Sequence, residues 1–267
     1  MTHDDRSTGT AGKANAAGQY FAILAERMAA IADTQLDAIE TGAQACAASI
    51  AADGLVFSFG TGHGSFAALE MFPRTGTIAG FRSIVETSIS HMHHIFGDMG
   101  TQQYRFLHTQ EGFGHAILKA HRLADTDTMV LFSHSGMNPV ILDMAVECRD
   151  RGMTVIGVTS VPHSSQVTSR HSSGLRLYEA ADVTIDTGVQ LADASITVPG
   201  LRARLGPTST PLAVAVAHAL VARTGEILAT SGYEPKIMIS PNTASRDEAN
   251  ANNDAVYEDL WRRLSSR

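Results

Sequence analysis

The chain of 267 residues has only two cysteines, Cys46 and Cys148. Both fall in apolar stretches with helical spacing, so they read as buried thiols of a reducing cytoplasm rather than as nucleophiles. Basic clusters are missing as well. The formal net charge is -7, which argues against nucleic acid as a partner. No apolar run is read as reaching membrane-spanning length, and Met1-Thr2-His3-Asp4-Asp5 lacks the basic and apolar regions of a signal peptide. A cytoplasmic protein without membrane contact is the expectation. There is no internal repeat, no interdomain linker and no low-complexity block beyond the extreme N-terminus. With 44% hydrophobic residues the chain has ample material for a core. One domain over residues 17–267 is expected, after a small, polar, disordered segment at 1–16.

What is present starts with Val130-Leu131-Phe132-Ser133-His134-Ser135-Gly136-Met137-Asn138-Pro139. An apolar strand stops in a Ser-x-Ser-Gly-x-Asn turn, and Val140, Ile141, Met144, Ala145 and Cys148 follow at helical spacing. Two hydroxyls, a permissive glycine and an amide thus meet the positive end of a helix, a setting that favours an anion such as phosphate. An ordinary capped turn uses the same residue types, and the turn alone leaves both readings open.

Two further helix starts share this character. Leu55–Phe59 runs into Gly60-Thr61-Gly62-His63-Gly64-Ser65 and a helix closed by Pro73. Gly206-Pro207-Thr208-Ser209-Thr210-Pro211 opens an apolar helix over 212–229. Strands near 54–60, 78–86, 128–133, 153–159 and 182–186 alternate with helices, after one or two alanine-rich helices over 17–52. The pattern predicts a three-layer α/β sandwich around a five-stranded parallel sheet, whose strand ends share one crevice. The 193–199 stretch adds a short β arm.

In this order, the Gly60-Thr61-Gly62 turn, the Ser133-x-Ser135-Gly136 turn and the Pro207-Thr208-Ser209-Thr210 start resemble the sugar isomerase (SIS) domain. The closest resemblance is to stand-alone SIS proteins with Gly-Thr-Gly-His, Gly-Pro-Thr-Ser-Thr and a tail segment like Asp247-Glu248-Ala249-Asn250. It covers about Ala17 to Leu264. The resemblance implies a flavodoxin-like fold, a sugar phosphate ligand, aldose–ketose isomerisation without a cofactor, and a homodimer or homotetramer that packs through its N-terminal segment. It places the ligand on Gly60, Thr61, Gly62, His63, Ser65, Ser133, His134, Ser135, Gly136, Asn138 and Ser209. Two departures stand out. SIS turns usually carry Ser directly after Gly-x-Gly-x, where this chain has Gly64. His134 and Met137 stand where similar proteins carry Asn and Arg.

Isomerisation needs a base beside the carbonyl, and a carboxylate raised towards neutrality by partial burial can serve. Glu70, on the helix after the first turn, is the first candidate, and Glu86, ending the second strand, is the next. Each also fits a plain polar position. Glu111, before Gly112-Phe113-Gly114, suits a helix cap. Asp247 and Glu248 lie in a polar tail able to fold over a neighbour's site. His91, His93 and His94 form a compact group in which His91 can shuttle a proton, and no complete set of metal ligands accompanies it. His218, inside an apolar helix, suits a core or interface position.

Three other functions compete. A lyase or etherase that removes lactate from a phosphorylated muramic sugar is implied by the same resemblance. A dinucleotide-binding oxidoreductase is suggested by Gly60-x-Gly62 with Glu86, but Ser65 replaces the third glycine and the Ser133 turn is left without a task. A non-catalytic sugar-phosphate sensor is the last, although the residues before the first strand are not basic.

Overall fold

The computed structural model describes residues 15–90, 100–243 and 245–267. Five strands, Val56–Gly60 (β1), Phe81–Ser83 (β2), Thr128–Phe132 (β3), Thr154–Thr159 (β4) and Val183–Asp186 (β5), form one parallel sheet ordered β2-β1-β3-β4-β5. Every residue of β1 and β3 is buried. Strands covered on both faces need such continuous apolar runs, and this is why they were legible in the sequence. β1 and β3 pair from Val56↔Thr128 to Gly60↔Phe132. Their turns therefore leave the sheet side by side.

The helices are Ala16–Thr34 (α1), Leu36–Ala51 (α2), Gly64–Glu70 (α3), Thr87–Ser90 (α4), Gly100–Leu107 (α5), Phe113–Leu118 (α6), Pro139–Asp150 (α7), Val161–Ser164 (α8), Leu177–Ala180 (α9), Ser209–Thr230 (α10) and Arg246–Ser265 (α11). One core, with Ile39, Ile50, Met71, Phe132, Ile156 and Leu220, joins α2, α3 and α10 to one face of the sheet. A second, with Phe57, Leu118, Leu131, Met144, Leu177 and Leu260, joins α6, α7, α9 and the end of α11 to the other. The predicted α/β sandwich is the observed one. Cys46 and Cys148 are both fully buried, and burial pushes their thiols up to about 12.

Two features differ from expectation. α10 is long and apolar enough to span a bilayer, with mean hydropathy 1.5 over its most apolar stretch, so the chain does contain a run of that length. Here it packs on α2 and α3, and Val216, Ala217 and Leu220 face the core. The tail is a helix rather than an extended polar segment. α11 docks on its own chain through Leu260 and Arg263, and Asp247 and Glu248 are exposed in its first turn, where the helix dipole favours them. The 193–199 arm is present as an antiparallel bridge between Ile196 and Leu205. The disorder expected for 1–16 falls almost wholly outside the described residues.

Candidate active site

The turns after β1 and β3 and the start of α10 converge on a cavity of about 300 Å³ at the carboxyl end of the sheet. Its wall includes Thr61, His63, Ser133, His134, Ser135, Asn138 and Ser209 from the predicted set. Gly60, Gly62, Ser65 and Gly136 are not on the wall. The glycines shape the backbone around it. A Cβ on Gly60 would meet Gly64 at 2.4 Å, while Gly62 and Gly136 have φ of 55° and 60°. Ser65 is buried, and its hydroxyl is turned inward to the carbonyls of Gly62 and Ser90, at 2.7 and 2.9 Å. That geometry corrects its assignment as a ligand contact.

Gly64 does lie on the wall. A Cβ at that position would sit 2.6 Å from the carbonyl oxygen of Phe132. The first turn thus presses against β3 so closely that the serine usual at this place has no room.

At the second turn, Ser133 Oγ accepts the Gly136 amide at 3.2 Å, which closes a short local turn. Asn138 takes the N-cap position of α7, yet its side chain does not cap the helix. Its Oδ1 accepts from Arg170 at 3.2 Å instead, which leaves its amide nitrogen available. Among the described residues, the backbone amides of Ser135, Met137, Asn138 and Val140 have no partner. These are donors of the kind that a helix start offers to an anion.

The third start is not equivalent, which corrects its grouping with the other two. Asp193 Oδ1 accepts the Thr208 and Ser209 amides at 2.9 and 3.1 Å, and Ser209 Oγ donates to Oδ2 at 2.5 Å. The chain's own carboxylate fills this helix start. Tyr20 and Arg27 of α1 reach the same segment, donating to the Pro207 carbonyl at 2.8 Å and to Thr208 Oγ1 at 2.5 Å.

The carboxylates proposed as bases are elsewhere. Glu70 is absent from the wall; its Oε2 bonds Arg74 and lies 3.0 Å from His218 Nε2. Burial pushes its carboxyl up, but the Arg74 and His218 hydrogen bonds outweigh burial and hold it below the ordinary value. The expected upward shift is therefore reversed. Glu86 accepts from the amide and hydroxyl of Ser88, at 3.1 and 2.6 Å, and so caps α4 away from the wall. Glu111 bonds Ser172, and the cap it was expected to supply to α6 comes from Asp143, which accepts the Gly112 and Gly114 amides at 2.8 and 3.0 Å. His91 lies outside the described residues.

Several wall residues had escaped the sequence reading. Thr159 and Thr187 directly end or follow β4 and β5, so the crevice rule could have found them. Tyr104, stacked on His108 at 4.4 Å, had no local signal. Burial pushes the His134 imidazole down to about 4, with the neighbouring His163 ring 4.3 Å away adding to the shift. Both its ring nitrogens, and Thr187 Oγ1, are buried without a partner. Among the described residues no group of His, Cys, Asp and Glu side chains is arranged to hold a metal.

A parallel sheet of this order with its pocket at the strand ends defines a doubly wound α/β protein. Residues 19–160 match the SIS domain, and the chain belongs to that family. It is 34% identical to a UPF0309 protein of Halalkalibacterium halodurans over 86% of this chain and 91% of that one. It is 32% identical to a UPF0309 protein of Streptomyces coelicolor, over 88% and 92%. Among solved structures, phosphoheptose isomerases from Neisseria gonorrhoeae and Francisella tularensis share the fold. Each has a TM-score of 0.50, with 13% and 15% identity, over 79% of this chain and 97% and 96% of theirs.

Proposed function

We propose that this protein binds a phosphorylated sugar and interconverts its aldose and ketose forms. The observation that carries this reading is the pair of unpartnered amides of Ser135 and Asn138, residues that line the pocket with Ser133 where the β3 turn enters α7. The likeness in fold to phosphoheptose isomerases points the same way.

Glu70 is the proton acceptor in this scheme, with His218 as its partner. The Arg74 and His218 hydrogen bonds that hold its carboxyl below the ordinary value keep it ionised at neutral pH. The pair lies off the wall of its own pocket, so this scheme requires it to act at the pocket of a neighbouring copy in a homodimer or homotetramer. The exposed apolar residues of α1 support that assembly: no residue of the helix is fully buried, and Phe21 is 69% exposed. Glu70→Gln keeps the shape of the side chain and removes its proton affinity. Sugar phosphate binding should persist while exchange of substrate hydrogen with deuterated water falls by about 100-fold or more. Undiminished exchange would transfer the role to another group; no exchange by the wild type on any sugar phosphate would end the isomerase reading.

A further inference from the structure

The helix starts of α7 and α10 look alike in sequence and are electrostatic opposites in the fold. The amides of Ser135 and Asn138, on the pocket wall where the chain enters α7, have no partner, whereas those of Thr208 and Ser209 are filled by Asp193. The two helices cover opposite faces of the sheet, and residues of both starts line the same cavity. One wall thus attracts an anion and the other carries one. Asp193 is kept there against its backbone preference. It has φ 44°, directly after Ala192 at 70°, and such conformations in non-glycine residues persist only where surrounding contacts impose them.

We propose that Asp193 is the specificity-determining residue of this pocket. It selects sugar monophosphates whose far end bears only hydroxyls and rejects ligands with a carboxylate or second phosphate there. The inference rests on the phosphosugar reading. A carboxylate can only accept, so it matches sugar hydroxyls and repels a second anion. The donors that meet it are neutral, the Thr208 and Ser209 amides and the Ser209 hydroxyl, and among the described residues no lysine or arginine lies on the wall. Arg27 is engaged with Thr208 Oγ1 and is not on the wall, and burial keeps His134 neutral at pH 7. The unpartnered Thr187 Oγ1 is a further neutral group on the wall. A cavity of about 300 Å³ is also at the small end for ligand sites, the size of a monosaccharide derivative.

Calorimetric titration with matched pairs tests this: aldohexose 6-phosphates against 6-phosphoaldonates, which keep the phosphate and carbon chain but carry a carboxylate at C1. The best-bound aldose phosphate should bind about tenfold or more tightly than its phosphoaldonate. Asp193→Asn retains an oxygen for the Thr208 and Ser209 amides, and should bring the pair within about threefold by tightening the phosphoaldonate. Asp193→Ser, with a neutral capping oxygen, should do the same if the Asn variant folds poorly. Equal wild-type affinities would overturn the proposal and leave the phosphosugar reading standing. A ratio unchanged in both folded variants would also overturn it. If neither sugar phosphates nor inorganic phosphate bind the wild type, the phosphosugar reading itself falls.

Discussion

Ser135 and His134 are adjacent, yet they put opposite demands on the pocket. The Ser135 side chain lies on the wall beside unpartnered amides, and a hydrogen bond to a charged group is worth about 1.5–3 kcal/mol. Ser135→Ala should therefore weaken sugar phosphate binding by about tenfold to a hundredfold in calorimetry, with little change in melting temperature. His134 affects stability instead. Its unfolded value is 6.5 and its folded value about 4. As pH falls from 6.5 to about 4, the unfolded chain takes up a proton that the folded chain refuses, so stability drops across that window and levels off below it. His134→Asn should remove this step from urea midpoints measured between pH 7 and 4. An unchanged pH slope would mean that the imidazole is not desolvated as described.

At the scale of elements, α11 shows what a polar helix can do once its buried side is known. Arg263 is 1% exposed, and its guanidinium donates to Asp259 at 2.7 Å, to the carbonyls of Ile50 and Gly54 at 3.0 and 2.9 Å, and to Tyr233 Oη at 2.8 Å. Removing one partner of such a group strands the other charge. Arg263→Ala should destabilise the fold by about 3–5 kcal/mol in denaturant unfolding. None of this was visible in the sequence, because Arg246–Ser265 has no apolar stripe strong enough to announce a docked helix. The strands were visible for the opposite reason: β1 and β3 are apolar at nearly every position. The pocket lies between these cases. Its turns were legible from local residue types, whereas Ser65 turned inward, Glu70 was claimed by Arg74 and His218, and Asp193 occupied a helix start 15 residues away. Each depends on a partner that spacing alone does not reveal.

For the whole molecule, assembly is the central expectation. α1 exposes Phe21 and Met28, and Leu36 at the next helix start is 61% exposed. Apolar residues on one helix pair favour burial against a second copy. Sedimentation should give a dimer or tetramer at micromolar concentration. Phe21→Asp combined with Met28→Asp should shift it to monomer and, under the proposal that Glu70 serves a neighbouring pocket, reduce turnover by about 100-fold or more. A fully active monomer would refute that arrangement.

No residue of α1 is fully buried, yet its Tyr20 and Arg27 hold Pro207 and Thr208 beside the cavity. The wall is thereby fastened to a helix without a fully buried residue. Whatever steadies α1 steadies the wall, and a bound ligand that orders the wall stiffens α1 in return. Under the proposed assembly through α1 and the proposed sugar ligand, the two become linked equilibria: dilution should loosen the grip on sugar, saturation with sugar should tighten subunit association, and the two effects must be equal in free energy.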